Sequence, residues 1–214
     1  MRRLSFPVPF ILLAACALLS ACGTPDSRTL FTAEDFGIAV YRSETDQDGD
    51  FVDDATDVLL SVKTYLATKP VYKSAYYEGG WPTDGCGVCT DVVAQGLLGA
   101  GYDLRTLLSE DRAAHPEDYR TDETPDPDID FRRVRNLLPY FRRNAITLTT
   151  DSGKIDQWQP GDIVVWEGHV GVISEHRNAS GTPLVYHHAN PSQTEYEQDV
   201  LNAYGEILGH FRIS

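Results

Sequence analysis

Two kinds of periodicity divide this chain, and their order along it limits the fold more than any other feature. Between residues 54 and 143 apolar side chains recur at helical spacing, and from 145 to 213 they fall in short runs broken by turns. Asp54–Ala67 (DATDVLLSVKTYLA) puts Val58, Leu59, Val62, Tyr65 and Leu66 on one helical face. Cys89–Leu98 (CTDVVAQGLL) reads as a helix stopped by Gly99-Ala100-Gly101, and Leu104–Ala114 as a third. Pro116–Asp130 is acidic and proline-bearing, a surface loop, and Phe131–Arg143 reads as a helix kinked or broken at Pro139. Strands are expected over 145–150, 162–166, 169–175, 184–188 and 207–213, with hairpin-like turns at Gln159-Pro160-Gly161 and Asn178-Ala179-Ser180-Gly181. Helices followed by a run of antiparallel strands predict an α+β domain.

The chain has 214 residues, 42% hydrophobic and 23% charged. That length buries a sizeable core without covalent staples, and the composition excludes collagen-like, polyelectrolyte and multi-span membrane chains. With 18 basic against 32 acidic residues the net charge is −14. Phosphate backbones would repel such a chain, so no nucleic-acid partner is expected.

The first residues read as a targeting segment. Arg2 and Arg3 precede an apolar stretch, Phe10–Leu19, that is too short to span a bilayer. Leu19-Ser20-Ala21-Cys22 resembles a bacterial lipobox. The resemblance implies that residues 1–21 are removed and that Cys22 is lipidated, which attaches the chain to a membrane of the cell envelope. Residues 22–45 then form a lipid-anchored tether, and 46–214 form the domain.

Of the four cysteines, Cys16 leaves with the leader and Cys22 becomes the anchor, so Cys86 and Cys89 remain as one CGVC pair. Cys89 follows the turn-rich stretch Tyr77–Gly87 (YEGGWPTDGCG) and opens a helix. Free backbone N–H groups there favour a thiolate over a thiol of pKa about 8.5, and they can hold an oxyanion. A nucleophilic cysteine needs a base, which six histidines could supply: 115, 169, 176, 187, 188 and 210. His169 opens an apolar strand after a turn, at the strand's end and facing out of the core. His187 and His188 close the next strand, so these positions can meet across a hairpin. A thiol–disulfide exchange reading of CGVC would want a buried strand before it, and GGWPTDG stands there instead. A zinc reading lacks a second spaced ligand pair. Cys86 is better placed as a redox partner that closes a disulfide on Cys89 and locks it.

The segment Tyr76-Tyr77-Glu78-Gly79-Gly80, followed after eight residues by Cys89-Thr90-Asp91, resembles the entrance of NlpC-type cell-wall cysteine peptidases, a branch of the papain-like superfamily. So does Pro160-Gly161-Asp162-Ile163-Val164-Val165-Trp166 with His169-Val170-Gly171-Val172-Ile173. Closer still, the stretch Gly87 to Val93, with Ile129 to Leu137, Trp158 to Asp162 and Gly209-His210, resembles the bacterial domain-of-unknown-function family 1287. The resemblance spans roughly residues 46–213. It implies a papain-like fold with the nucleophile helix packed on an antiparallel sheet. It also implies a triad of Cys89, His169 as base, and His187 or else His188 as the orienting third member, with Tyr76 near the oxyanion. Peptidoglycan stem peptides are the implied substrate, and no cofactor is required for hydrolysis. This chain departs from the peptidase pattern in having Val88-Cys89-Thr90 where Asp-Cys-Ser is usual, and in a long insertion before the strands.

A second motif lies upstream. Asp46, Asp48, Asp50, Asp54 and Asp57 take positions 1, 3, 5, 9 and 12 of a twelve-residue loop that leads into a helix, the spacing of a calcium loop. Position 6 is Phe51 rather than glycine, and position 12 is aspartate rather than glutamate. The expected ion is structural calcium; the competing reading is an acidic capping loop with Asp54 as the cap. Arg132, Arg133 and Arg135 could receive substrate carboxylates, or form a solvated face that balances the acidic loop before them.

Overall fold

A computed structural model describes residues 30–213, so the expected leader (1–21) and Cys22 lie outside the described residues. Four helices carry most of the first half: α1 (Asp54–Ala67), α2 (Cys89–Gly99), α3 (Leu104–Ala114) and, after the single-turn α4 (Pro127–Asp130), α5 (Val134–Asn144). Two short parallel strands, β1 (Val71–Tyr72) and β2 (Cys86–Gly87), sit between α1 and α2. The second half supplies β3 (Ile146–Thr147), β4 (Ile163–Trp166), β5 (His169–Arg177), β6 (Pro183–Tyr186), β7 (Glu197–Gln198) and β8 (Ile207–Arg212). These six form one antiparallel sheet in the order β3-β8-β4-β5-β6-β7. The fold is α+β, as the two periodicities require. Among the described residues, no helix is long and apolar enough to cross a membrane.

The helices cover one face of the sheet. Val58 and Val62 of α1 and Val92, Val93 and Leu97 of α2 pack against Ile163, Val165, Val170, Val172 and Phe211. At roughly 1.5–3 kcal/mol per buried large aliphatic side chain, this is the main cohesive layer. Gly99 lets α1 approach closely, because a Cβ there would fall on the Ser61 side chain. Trp158, Val164, Trp166, Ile173, Val185 and Leu201 make a smaller core on the opposite face.

Several boundaries differ from the sequence expectations. The N-cap of α1 is Asp53, whose carboxylate accepts from Thr56 N, and not Asp54, which is fully buried. The acidic stretch 116–130 is not all loop: it holds a 3-10 turn at Pro116–Asp118 and α4, capped by Asp126. Helix α5 runs on through Pro139. Gln159-Pro160-Gly161 is not a hairpin turn, because β8 lies between β3 and β4. The pairs β1–β2 and β7, only two residues long each, carry no readable period.

The expected tether of residues 22–45 is corrected over its described part. Residues 30–45 form a strap tied to the domain by main-chain bonds. Phe31 and Arg177 exchange N–H···O bonds of 3.0 and 2.7 Å, and Gln159 grips the strap by accepting from Tyr41 N and donating to Ala39 O. Arg177 is buried there, with its guanidinium donating to the carbonyls of Ile155, Trp158 and Gly181. The composition of a linker cannot reveal partners that lie more than a hundred residues away.

Candidate active site

Cys89 is the first residue of α2. Val88 before it is extended, and its N–H donates to the Asp91 carboxylate at 2.8 Å, which closes the helix start. Asp91 is itself held by Arg132, Nε to Oδ1 at 2.7 Å and Nη2 to Oδ2 at 3.0 Å, with both side chains almost wholly buried. Arg132 also donates to Ala75 O, and Thr90 Oγ1 donates to Arg132 O. The insertion between helices and strands is thereby pinned to the turn that carries Cys89. Gly87 is fixed by space, since a Cβ there would land on the Tyr65 hydroxyl.

The Cys89 thiol receives backbone N–H groups from Val170, Thr90 and its own residue, which favour the thiolate, yet burial outweighs them and pushes the thiol up to about 11. The expectation of a lowered thiol pKa is therefore wrong for this conformation: the helix start is present, and loss of solvent dominates it. His169 immediately precedes Val170 on β5. It does not face outward as the sequence implied. It is 7% exposed, stacked on Trp166 and 4.3 Å between ring centroids from Tyr204.

The structure brings His169 and His187 together and leaves His188 apart. His169 Nε2 lies 3.0 Å from His187 Nδ1, and His187 Nε2 lies 3.0 Å from Gln198 Oε1 on β7. His188, the next residue along, packs edge-on to Tyr72 and Tyr196, and its Nδ1 is buried without a partner. Burial and the neighbouring His187 lower His169 to about 3. Burial lowers His187 to about 4 against the opposing bond to Gln198. Thiol and imidazoles are thus all neutral at neutral pH, and among the described residues no hydrogen bond joins Cys89 to either ring.

A cleft of about 510 Å³ opens beside Cys89, lined among others by Tyr72, Thr90, Arg133, Arg135 and Trp166. Tyr76 is not among its walls. It is 58% exposed and sits by the carboxylates of Asp126 and Asp128, so the tyrosine at the cleft is Tyr72, held there by the β1–β2 pair. Of the three arginines, Arg132 is spent on Asp91. Arg133 pairs with Asp130 and Glu123, and Arg135 with Glu123. Cys86, on β2, and Cys89, on α2, are both free thiols. The pKa of Cys86 is raised by desolvation and by Asp84. Sequence reasoning missed Gln198, Tyr204 and Tyr72.

A family model described as "Domain of unknown function (DUF1287)" matches residues 60–213. The chain belongs to this family. Within the curated proteins, it is 38% identical over 152 residues to "Uncharacterized protein YijF" of Escherichia coli (strain K12), an alignment covering 67% of this chain and 72% of that protein. No solved structure matches the chain. The family match includes Cys86, Cys89, the histidine pair and Gln198, and begins after the acidic loop at 46–57.

Proposed function

We propose that this protein is a cysteine hydrolase of the bacterial cell envelope, a papain-like relative of the NlpC-type peptidases, which cleaves an amide bond through a thioester on Cys89. The observation that carries the reading is the relay from Gln198 through His187 to His169. Gln198 Oε1 accepts, so His187 carries its proton on Nε2 and accepts at Nδ1. His169 must then donate from Nε2, which leaves Nδ1 as its free lone pair. The adjoining residue, Val170, directs its N–H at the Cys89 sulfur.

In this reading the Cys89 thiol proton passes to His169 Nδ1 as the sulfur attacks the amide carbon. Because both groups are neutral at rest, proton transfer accompanies the attack and does not precede it. Backbone N–H groups at the start of α2 stabilise the oxyanion. His169 returns the proton to the leaving amine, and water releases the acid by the same route. Peptidoglycan stem peptides fit an exported enzyme with an arginine-bearing cleft, where Arg135 is the more exposed cation. The lipid anchor at Cys22 and the envelope location belong to the same proposal, and loss of fatty-acid labelling in Cys22→Ser checks the anchor.

A second reading has a specific observation in its favour. A half-buried neutral thiol, with no hydrogen bond to the two weakly basic imidazoles, also suits a non-catalytic module that binds cell-wall peptides. The deciding experiment is mass analysis of purified muropeptides incubated under reducing conditions with the protein and with Cys89→Ala. New free amines with the former alone support hydrolysis. Unchanged muropeptides, with peptide binding retained by both proteins, overturn it in favour of the binding module.

A further inference from the structure

Three aspartates of the loop that precedes α1 and one on the first turn of α1 have no cationic partner. Asp46, Asp48 and Asp50 each bring a carboxylate oxygen to a cluster no wider than 4.8 Å. Beside them, on the first turn of α1, stands Asp57, 7% exposed. Its Oδ2 is buried and has no hydrogen-bond partner, and its carboxyl feels the charge of Asp50, Asp48 and Asp46 in that order. Among the described residues, no lysine or arginine forms an ion pair with any of the four.

Capping does not account for this group. Asp53 caps the helix, while Asp54 turns inward and accepts from Thr45 Oγ1, Gln47 N and Tyr102 Oη. The five-aspartate ligand set read from the sequence is corrected accordingly: Asp54 is fully buried, faces Tyr102 and stands outside the converging carboxylates, so position 9 has no side-chain ligand, whereas Asp46 accepts only from main-chain N–H groups of the loop itself, at Gly49, Asp50 and Phe51. Positions 1, 3, 5 and 12 remain, a concentration of hard carboxylate oxygens whose mutual repulsion a divalent cation would relieve.

We propose that the loop 46–57 binds one calcium ion through the carboxylates of Asp46, Asp48, Asp50 and the buried Asp57. The Val52 carbonyl, at position 7 of the spacing, is the main-chain oxygen such a loop supplies. Oxygen-only donors of this charge suit calcium. Magnesium gives up its waters reluctantly and demands near-octahedral geometry, which a loop with several carboxylates on one turn does not impose. The ion is structural. Asp54, inside the same loop, bonds Tyr102 just beyond α2, and the loop backbone at Asp48 lies against Gly101, so an ordered loop fastens α1 to the α2–α3 connection. The site precedes the segment the family match covers, so it is a property inferred for this chain and independent of the reading of Cys89.

Calorimetric titration of the chelator-treated whole protein with calcium chloride tests this. We expect one saturable site with a dissociation constant on the order of 10⁻⁴–10⁻³ M, the range of extracellular modules. Saturating calcium should raise the thermal midpoint by several degrees, and magnesium at the same concentration by less. Asp57→Asn should abolish both effects. If that buried variant does not fold, Asp48→Asn and Asp50→Asn, on the exposed loop, should each lose the binding and the shift. Phe51 sits at φ +77° and is 97% exposed, so Phe51→Gly should bind more tightly by easing the turn. Absence of a calcium isotherm, an equal magnesium shift, or a full calcium response in Asp50→Asn would overturn the site.

Discussion

His169 Nε2 and His187 Nδ1 lie 3.0 Å apart, and that contact determines which nitrogen of each ring holds its proton. Two neutral imidazoles can share a hydrogen bond only if one donates and the other accepts. The amide oxygen of Gln198 makes the choice, because it can only accept from His187 Nε2. A residue on a two-residue strand thus sets the protonation pattern of a ring two steps away.

Gln198→Leu removes the acceptor and frees His187 to adopt either tautomer. We expect turnover on a muropeptide substrate to fall roughly ten- to hundredfold, the usual size for outer-shell partners of a histidine, with KM little changed. Gln198→Glu keeps an acceptor and should restore most of the rate. It should also raise the pH at which His187 titrates, which NMR of the imidazole protons would register.

Acid should destabilise the protein through these histidines. His169 and His187 titrate at about 3 and 4 when folded and near 6.5 as free side chains. The unfolded chain therefore takes up protons first. Stability is full above about pH 6.5 and falls as pH drops toward 4. Asp57, raised to about 6 by burial and its acidic neighbours, pulls the other way over part of this range. The informative quantity is thus the difference between wild type and His169→Gln. Urea denaturation at several pH values should show a shallower loss of stability in the variant between pH 6.5 and 4, and parallel curves would contradict the burial argument.

Much of the helical half was legible because its helices are amphipathic and long enough to show a period. Asp54–Ala67 and Leu104–Ala114 have the boundaries that spacing and breakers imply. The histidine pair was legible from strand ends alone, with His187 and His188 left as alternatives. What decides between them is β-strand alternation: consecutive residues face opposite sides, and Tyr186 already faces the helices. The roles of other motif residues were not legible. Asp162, His210 and Arg212 form a buried knot, with Asp162 accepting from both partners and His210 stacked on Trp158 at 3.7 Å. Two of the blocks that resemble family 1287, Trp158 to Asp162 and Gly209-His210, therefore hold the sheet together and make no contact with the thiol among these bonds. Arg132 reads as surface charge in a run of three arginines, and only the fold reveals that it neutralises Asp91.

That pair gives a stability test. Arg132→Met leaves the Asp91 carboxylate buried without its counter-charge, at a cost of about 3–5 kcal/mol. Asp91→Asn combined with Arg132→Met removes both charges and should recover a good part of the loss, which a double-mutant cycle in urea would measure. Equal, additive losses would mean that the two charges are not coupled, whereas a near-neutral Asp91→Asn would mean that Asp91 acts mainly by accepting from Val88 N, an acceptor that asparagine retains.

Cys86 supplies the last expectation, a redox lock on the nucleophile. It stands three residues before Cys89, both thiols are free, and the proposed envelope location would expose the pair to an oxidising compartment. A disulfide between them would leave Cys89 unable to attack an amide. The raised pKa of Cys89 bears on how the lock opens. When a reductant attacks the Cys86 sulfur, Cys89 must leave as a thiolate, and a leaving group of pKa near 11 leaves slowly. We therefore expect air-oxidised protein to regain activity slowly with a monothiol and faster with dithiothreitol, whose second thiol closes its own ring. Cys86→Ala should be active without any reductant, and Cys89→Ala inactive under all conditions. Loss of hydrolysis in a well-folded Cys86→Ala protein would instead make Cys86 part of the chemistry, and would favour thiol–disulfide exchange over hydrolysis as the reaction of this site.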